Sequence, residues 1–109
     1  MSDEYQIDIP QSFLALYTKP GNSKPHASRN HIAVRYELCE DLAAMLTQTA
    51  PDHQFALGVT EADVLERCHL GLLGEGAVVD APEALWVVRR LAELLNWPLP
   101  VGLGFDGQS

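Results

Sequence analysis

SRNHIAVRYELCEDLAAMLTQTA, the stretch from Ser28 to Ala50, carries the longest uninterrupted helical signal in the chain, because neither proline nor glycine occurs in it. Ser28 is a residue type suited to accept a backbone N–H as the N-cap. Apolar side chains recur here at steps of three and four residues, namely Ile32, Tyr36, Cys39, Ala43 and Leu46, with Leu38, Leu42 and Met45 beside them. So wide a stripe can contact more than one neighbour, which predicts a central helix that ends at Pro51. Phe55 and Leu57 are expected to anchor one further short turn.

Three other helices are predicted from the same kind of spacing. They lie near residues 10–18, 60–73 and 81–96. Thr60 and Asp80 are good N-cap residues, and Glu83 stands three residues after Asp80, as in a capping box. Each helix has an apolar face and a polar face, which is typical of helices that pack together around one core. The predicted fold is therefore an all-α, compact bundle of about four helices.

The segments outside these helices are predicted to be irregular. Residues 19–27 contain two prolines, a glycine, an asparagine and a serine, which predicts a mobile loop. The N-terminal arm is too short to be a domain, and the Gly-rich tail at residues 97–109 follows a Pro-bounded helix end. We therefore treat residues 1–109 as a single domain.

Charge and composition exclude several classes of function. Seven basic and fifteen acidic side chains give a formal net charge of −8. A phosphate-rich partner requires a basic face, so we expect no nucleic-acid or membrane binding. The N-terminal residues lack the basic and apolar regions of a secretory signal, which favours a cytoplasmic protein. Cys39 and Cys68 fall on predicted apolar faces and are interpreted as buried free thiols.

The sequence carries little that is typical of a nucleotide or metal site. Residues 102–107 match GxGxxG, but only Gln108 and Ser109 follow, so there is no helix N-terminus to hold a pyrophosphate. The four histidines and two cysteines have no CxxC, HxxxH or HExxH spacing. A thiol on an apolar helix face is a poor nucleophile. We therefore assign no catalytic, cofactor-binding or metal-ligating residues and expect no cofactor, and a non-enzymatic protein is favoured over an enzyme.

Partner binding is the class of function that remains. Residue types that often dominate interfaces occur at the edges of the predicted apolar faces and in the tail, at Tyr36, Trp86, Arg89, Arg90, Trp97 and Phe105. A structural interpretation stays open, in which the two tryptophans complete the core and the two arginines pair with nearby carboxylates. The helical stripes are also wide enough for two copies of the chain to share them, so a homodimer stays open as well.

Four stretches carry a family resemblance. RYELCEDL (35–42), EADVLERCH (61–69) and WVVRRLAELL (86–95), together with IPQSF (9–13), resemble a family of short proteobacterial proteins of unknown function. Some members carry the transferred label "ATPase with chaperone activity". The resemblance implies a bacterial cytosolic protein and, through the label, a chaperone-related ATPase. This sequence departs from the label because it lacks a GxxxxGK[ST] loop, so the activity is carried onto no residue.

The functional hypothesis from the sequence is a small, non-enzymatic cytosolic protein that acts through protein–protein contact, as an adaptor or an accessory to a larger assembly. The alternative is an accessory ATPase or another small enzyme, as the family label suggests.

Overall fold

The computed structural model describes residues 8–18 and 25–99. Within them the chain forms four α-helices and no strand, which confirms the predicted all-α bundle. Helix α1 is short, and a 3-10 turn over Ala15–Tyr17 continues it. The helices are α1 (Gln11–Leu14), α2 (Arg29–Leu57), α3 (Glu61–Leu72) and α4 (Ala81–Leu95).

Helix α2 begins at the predicted N-cap but does not end at the predicted residue. The Ser28 hydroxyl accepts a hydrogen bond from the backbone N–H of His31 at 3.1 Å. The prediction that Pro51 ends the helix was wrong, because α2 continues through Pro51 to Leu57. Proline removes one backbone hydrogen bond, but Pro51 is exposed, so water can reach the carbonyl left without a partner. Gly58 ends the helix in the left-handed conformation, with φ of 65°.

Helices α3 and α4 are both capped by side chains. The Thr60 hydroxyl accepts from the Asp63 N–H at 3.0 Å. At α4 the capping box is complete: the Asp80 carboxylate accepts from the Glu83 N–H at 2.9 Å, and the Glu83 carboxylate accepts from the Asp80 N–H at 3.0 Å. Asn96 ends α4 in the left-handed conformation, with φ of 60°. These caps satisfy backbone groups that helix ends leave without partners.

Two apolar clusters form the core. The first joins α1 to the N-terminal half of α2 and the start of α4, and its buried side chains include Phe13, Ile32, Cys39, Ala43 and Val87. The second joins the C-terminal half of α2 to α3 and the rest of α4, and includes Ala50, Val64, Leu65, Val88 and Leu91. Helices α2 and α4 contribute to both clusters, but seven residues of α4 are buried against five of the much longer α2. Helix α4 is therefore the more deeply buried of the two.

Three apolar side chains of α2 that were expected to pack are in fact exposed. Phe55 and Leu57, predicted to anchor the turn after Pro51, are 91% and 53% exposed. Met45, predicted to widen the stripe of α2, is 55% exposed. These predictions were wrong because helical periodicity continues past the point where a neighbouring helix can cover the face. Single exposed apolar side chains of this kind are common on protein surfaces.

Some predictions lie outside the described residues. They concern most of the 19–27 loop, the first seven residues, and the tail from Pro100 onward, which includes Phe105. Within the described residues, no helix is both long enough and apolar enough to cross a membrane.

Candidate partner-binding cavity

A surface cavity of about 290 Å³ lies where the N-terminal segment meets α2 and α4. We call it the Tyr36–Trp86 cavity. Its lining residues are Pro10, Ser12, Tyr36, Trp86, Arg89, Arg90 and Glu93. Four of the residues singled out in the sequence for partner contact, Tyr36, Trp86, Arg89 and Arg90, therefore share one site. The sequence pattern placed them on two separate helices and gave no reason to expect them together.

Helical spacing explains how α4 supplies most of the wall. Trp86, Arg89, Arg90 and Glu93 recur at steps of three, one and three residues, so they fall on one side of α4. Tyr36 reaches the cavity from α2. Phe13, which is completely buried, anchors the N-terminal segment and thereby places Pro10 and Ser12 at the rim.

Three aromatic rings form the apolar base beside the cavity. The Trp86 ring meets the Phe13 ring edge-on at a centroid distance of 5.0 Å and the Tyr36 ring at 5.7 Å. The ring centroids of Phe13 and Tyr36 are 5.6 Å apart, also in an edge-to-face arrangement. Each such pair contributes about 0.5–1.5 kcal/mol beyond the area it buries. The Trp86 indole N–H donates to the Ser12 hydroxyl at 2.9 Å, which fixes the orientation of the indole.

Trp86 and Arg90 make the contacts that the structural interpretation expected. Trp86 is only 5% exposed and belongs to the first core cluster. The Arg90 Nε donates to both carboxylate oxygens of Glu40 at 3.1 Å, and its Nη1 donates to Glu93 at 3.0 Å. Glu40 is therefore half-buried in an ion pair that joins α2 to α4. Both residues hold the cavity in shape and line it.

Electrostatics leave the cavity close to neutral. The hydrogen bond from Arg90 to Glu40 raises the pKa of Arg90, and the one to Glu93 adds to this effect. Burial raises the pKa of Tyr36, and the nearby Glu40 carboxylate raises it further. The Tyr36 hydroxyl therefore stays protonated at neutral pH and can donate a hydrogen bond to an incoming group.

An acidic surface continues from the cavity along α2. A second depression of about 460 Å³ is lined by Tyr36, Glu37, Glu40 and Asp41. Tyr36 lines both depressions, so it stands between the aromatic, arginine-bearing surface and the acidic one. A partner that occupied both depressions would contact aromatic rings and, beside them, carboxylates.

A buried polar network supports the helices that form the cavity. Glu83 is 1% exposed, and its carboxylate accepts hydrogen bonds from the Tyr17 hydroxyl at 2.6 Å and from the Arg35 Nε at 2.9 Å. Arg35 also donates from Nη2 to Glu83 Oε1 at 2.6 Å and to the Val78 carbonyl at 2.9 Å. Burial alone would raise the pKa of Glu83, but the hydrogen bonds from Arg35 and Tyr17 lower it to about 2.

This network was missed by sequence reasoning. Glu83 was predicted as a capping residue, which is correct but incomplete, and no partner was predicted for Arg35. The Tyr17 ring packs in the first apolar cluster, while its hydroxyl donates to Glu83. One signal of burial was present, since Glu83 stands one residue before Ala84, which belongs to an apolar face. Its partners Arg35 and Tyr17 are 48 and 66 residues away along the chain, so the sequence did not identify them.

Trp97, also predicted for partner contact, does not line the cavity. Trp97 is half-buried and packs against the second apolar cluster, and its backbone N–H donates to the Ala92 carbonyl at 2.9 Å. Phe105 lies outside the described residues. Trp97 therefore completes the core at the C-terminal end of α4.

Burial makes both thiols less acidic than free cysteine. Burial raises the pKa of the Cys39 thiol to about 12, and burial also raises the pKa of the Cys68 thiol. Both cysteines are free. Among the described residues, no three His, Cys, Asp or Glu side chains come close enough together to hold one metal ion.

Comparison of the chain with protein-family models, with curated proteins and with solved structures finds no match. Function is therefore inferred from the chain's own residues.

Proposed function

We propose that this chain is a small, non-enzymatic, cytoplasmic protein that binds a segment of a protein partner at the Tyr36–Trp86 cavity, as an adaptor or accessory to a larger assembly. The observation that carries the proposal is the convergence of Tyr36, Trp86, Arg89 and Arg90 from two helices on one cavity of about 290 Å³. Tyrosine, tryptophan and arginine are the residue types most enriched among energetically dominant interface residues.

The physical character of the cavity favours a protein segment over a nucleotide. A triphosphate requires a surplus of positive charge or a cradle of backbone N–H groups. Here Arg90 is already paired with Glu40 and Glu93, so its charge is largely compensated. An apolar side chain can pack against the half-buried Tyr36 ring and the small part of Trp86 that remains exposed, while a peptide carbonyl can accept from the Tyr36 hydroxyl. Mixed apolar and polar contacts of this kind are typical of protein interfaces.

Site-specific photo-crosslinking tests the proposal. A photoreactive amino acid at Glu93, an exposed position on the cavity rim, is compared with the same amino acid at Glu66, an exposed position on α3. We expect a discrete crosslinked product in native cells from position 93, one that Tyr36→Ala reduces while the circular dichroism spectrum is unchanged. A product of twice the chain's mass would identify the partner as a second copy.

Two results would contradict the proposal. The first is an identical set of crosslinked products from positions 93 and 66. The second is a thermal shift of several degrees on adding ATP and Mg²⁺ to the purified protein, with release of phosphate, since that outcome supports the ATPase alternative.

A further inference from the structure

A second groove lies between α2 and α3 and shares no lining residue with the Tyr36–Trp86 cavity. We call it the α2–α3 groove. It encloses about 340 Å³, and its lining residues are Leu46, His53, Arg67, Cys68, Gly71 and Leu72. Leu46, Cys68 and Leu72 are half-buried and pack against the second apolar cluster. Its floor is therefore apolar and continuous with the core.

Gly71 keeps one wall of the groove open. Glycine is the least favourable helix residue after proline, and Gly71 lies in the last turn of α3 without a positive φ. A Cβ atom added at Gly71 would meet no atom within 4 Å. Neither backbone conformation nor packing within the described residues therefore requires glycine here, and its effect is to leave space beside the groove.

Arg67 gives the groove a positive charge, in contrast to the chain as a whole. Arg67 is exposed, and within the described residues its guanidinium forms no ion pair or hydrogen bond. His53 lines the groove from α2, and none of the acidic residues that the structure describes lines it. In a chain of net charge −8, an arginine without a partner beside an apolar surface is complementary to a carboxylate.

We propose that the α2–α3 groove binds an amphipathic helical segment of a partner protein that carries Asp or Glu next to large aliphatic or aromatic side chains. The carboxylate accepts hydrogen bonds from Arg67, and the apolar side chains pack on Leu46 and Leu72 in the space that Gly71 leaves open. A helix presents both groups on one side at spacings of three and four residues. This site does not depend on the function proposed for the Tyr36–Trp86 cavity.

Two matched peptide libraries test this proposal. Both display helical peptides of about 16 residues, with leucine at positions spaced three and four apart. The flanking positions are glutamate in one library and lysine in the other. We expect the purified full-length protein to enrich binders from the glutamate library only. Arg67→Glu and Gly71→Leu should each weaken the best peptide about tenfold or more, because one reverses the charge and the other fills the groove.

Control variants separate binding from folding. Gly71→Ala adds only a methyl group to the same position and should raise the melting temperature while leaving peptide affinity within about threefold of wild type. Tyr36→Ala, in the other cavity, should leave peptide affinity unchanged. Thermal unfolding of every variant verifies that it is folded. Arg67→Glu changes an exposed side chain and should leave the fold intact, so it tests binding even if Gly71→Leu fails to fold.

Several outcomes would overturn the proposal. Equal enrichment from the two libraries would show that Arg67 does not select for a carboxylate. Unchanged peptide affinity in Gly71→Leu would show that the peptide binds outside the α2–α3 groove. Binding of decanoate that Gly71→Leu abolishes would assign the groove to small apolar acids. A wild-type dimer in solution that Gly71→Leu converts to a monomer would assign it to a second copy of the chain.

Discussion

Arg35 of α2 donates two hydrogen bonds to the carboxylate of Glu83 at the start of α4, from Nε at 2.9 Å and from Nη2 at 2.6 Å. Glu83 also accepts from the Tyr17 hydroxyl, so one buried carboxylate connects the α1 region, α2 and α4. The same three parts of the chain supply the walls of the Tyr36–Trp86 cavity. The network therefore sets the relative positions of the elements on which the proposed function depends.

Removing the charge of Glu83 should destabilise the protein strongly. Glu83→Gln leaves Arg35 without a counter-charge and places an amide N–H₂ group among hydrogen-bond donors. We expect a loss of about 3 kcal/mol in the free energy of unfolding at pH 7, measured by urea denaturation. The control is Glu37→Gln on the exposed side of α2, which should change stability by less than about 0.5 kcal/mol. An equal, small effect of both substitutions would show that the Glu83 network contributes little.

The Glu83 carboxylate should also make the free energy of unfolding depend on pH below about pH 5. The pKa of Glu83 is lowered to about 2 in the folded protein from an ordinary value of 4.5. A lowered pKa means that the folded state favours the ionised form, so this contribution is complete above about pH 5 and is lost as the pH falls towards 2. The pKa difference corresponds to about 3 kcal/mol.

Parallel urea titrations of wild type and Glu83→Gln between pH 7 and pH 2 measure this contribution directly. We expect the difference in unfolding free energy between the two proteins to shrink to under about 1 kcal/mol near pH 2. A difference that stays constant across the range would contradict the lowered pKa.

Replacing Pro51 should stabilise the protein. Because α2 continues through this exposed residue, Pro51→Ala restores a backbone hydrogen bond and removes a steric conflict, and we expect a gain of about 1–3 kcal/mol in unfolding free energy. Pro82→Ala is the matched control, since Pro82 lies in the first turn of α4, where a missing N–H has no cost. Similar effects of the two substitutions would indicate that α2 ends near Pro51 in solution.

The two thiols should differ in reactivity. Cys39 is completely buried with a pKa raised to about 12, whereas Cys68 is only half-buried and lines the α2–α3 groove. We expect iodoacetamide at pH 8 to label Cys68 slowly and Cys39 only when the whole protein unfolds. Mass spectrometry of peptides from a labelling time course measures both rates. Faster labelling of Cys39 than of Cys68 would contradict the placement of these residues.

Local features of the fold were predictable from the sequence because they depend on neighbouring residues. Ser28, Thr60 and Asp80 act as N-caps, and the capping box at Glu83 forms as expected. The end of α2 was predicted wrongly because proline locally favours ending a helix. Burial of Ala50 and the C-cap at Gly58 favour its continuation, and tertiary packing outweighs the local preference.

The candidate site was only partly predictable, for a related reason. Residue type singled out Tyr36 and Trp86, but their meeting depends on how α1, α2 and α4 pack. The partners of Glu83 are far away along the chain, so periodicity within one helix carries no information about them. Gly71 gave no signal in the sequence beyond a weakened helix, and its position beside Arg67 in a groove follows only from the arrangement of α2 and α3.

The affinity of the crosslinked partner for variants of the purified protein tests the central claim most directly. We predict that Tyr36→Ala weakens binding by about tenfold or more, since it removes a central aromatic contact, while the fold is retained. Leu70→Ala, which removes a side chain that is 69% exposed on α3, should leave the dissociation constant within about twofold of wild type. A dissociation constant for Tyr36→Ala equal to that of wild type would contradict the account.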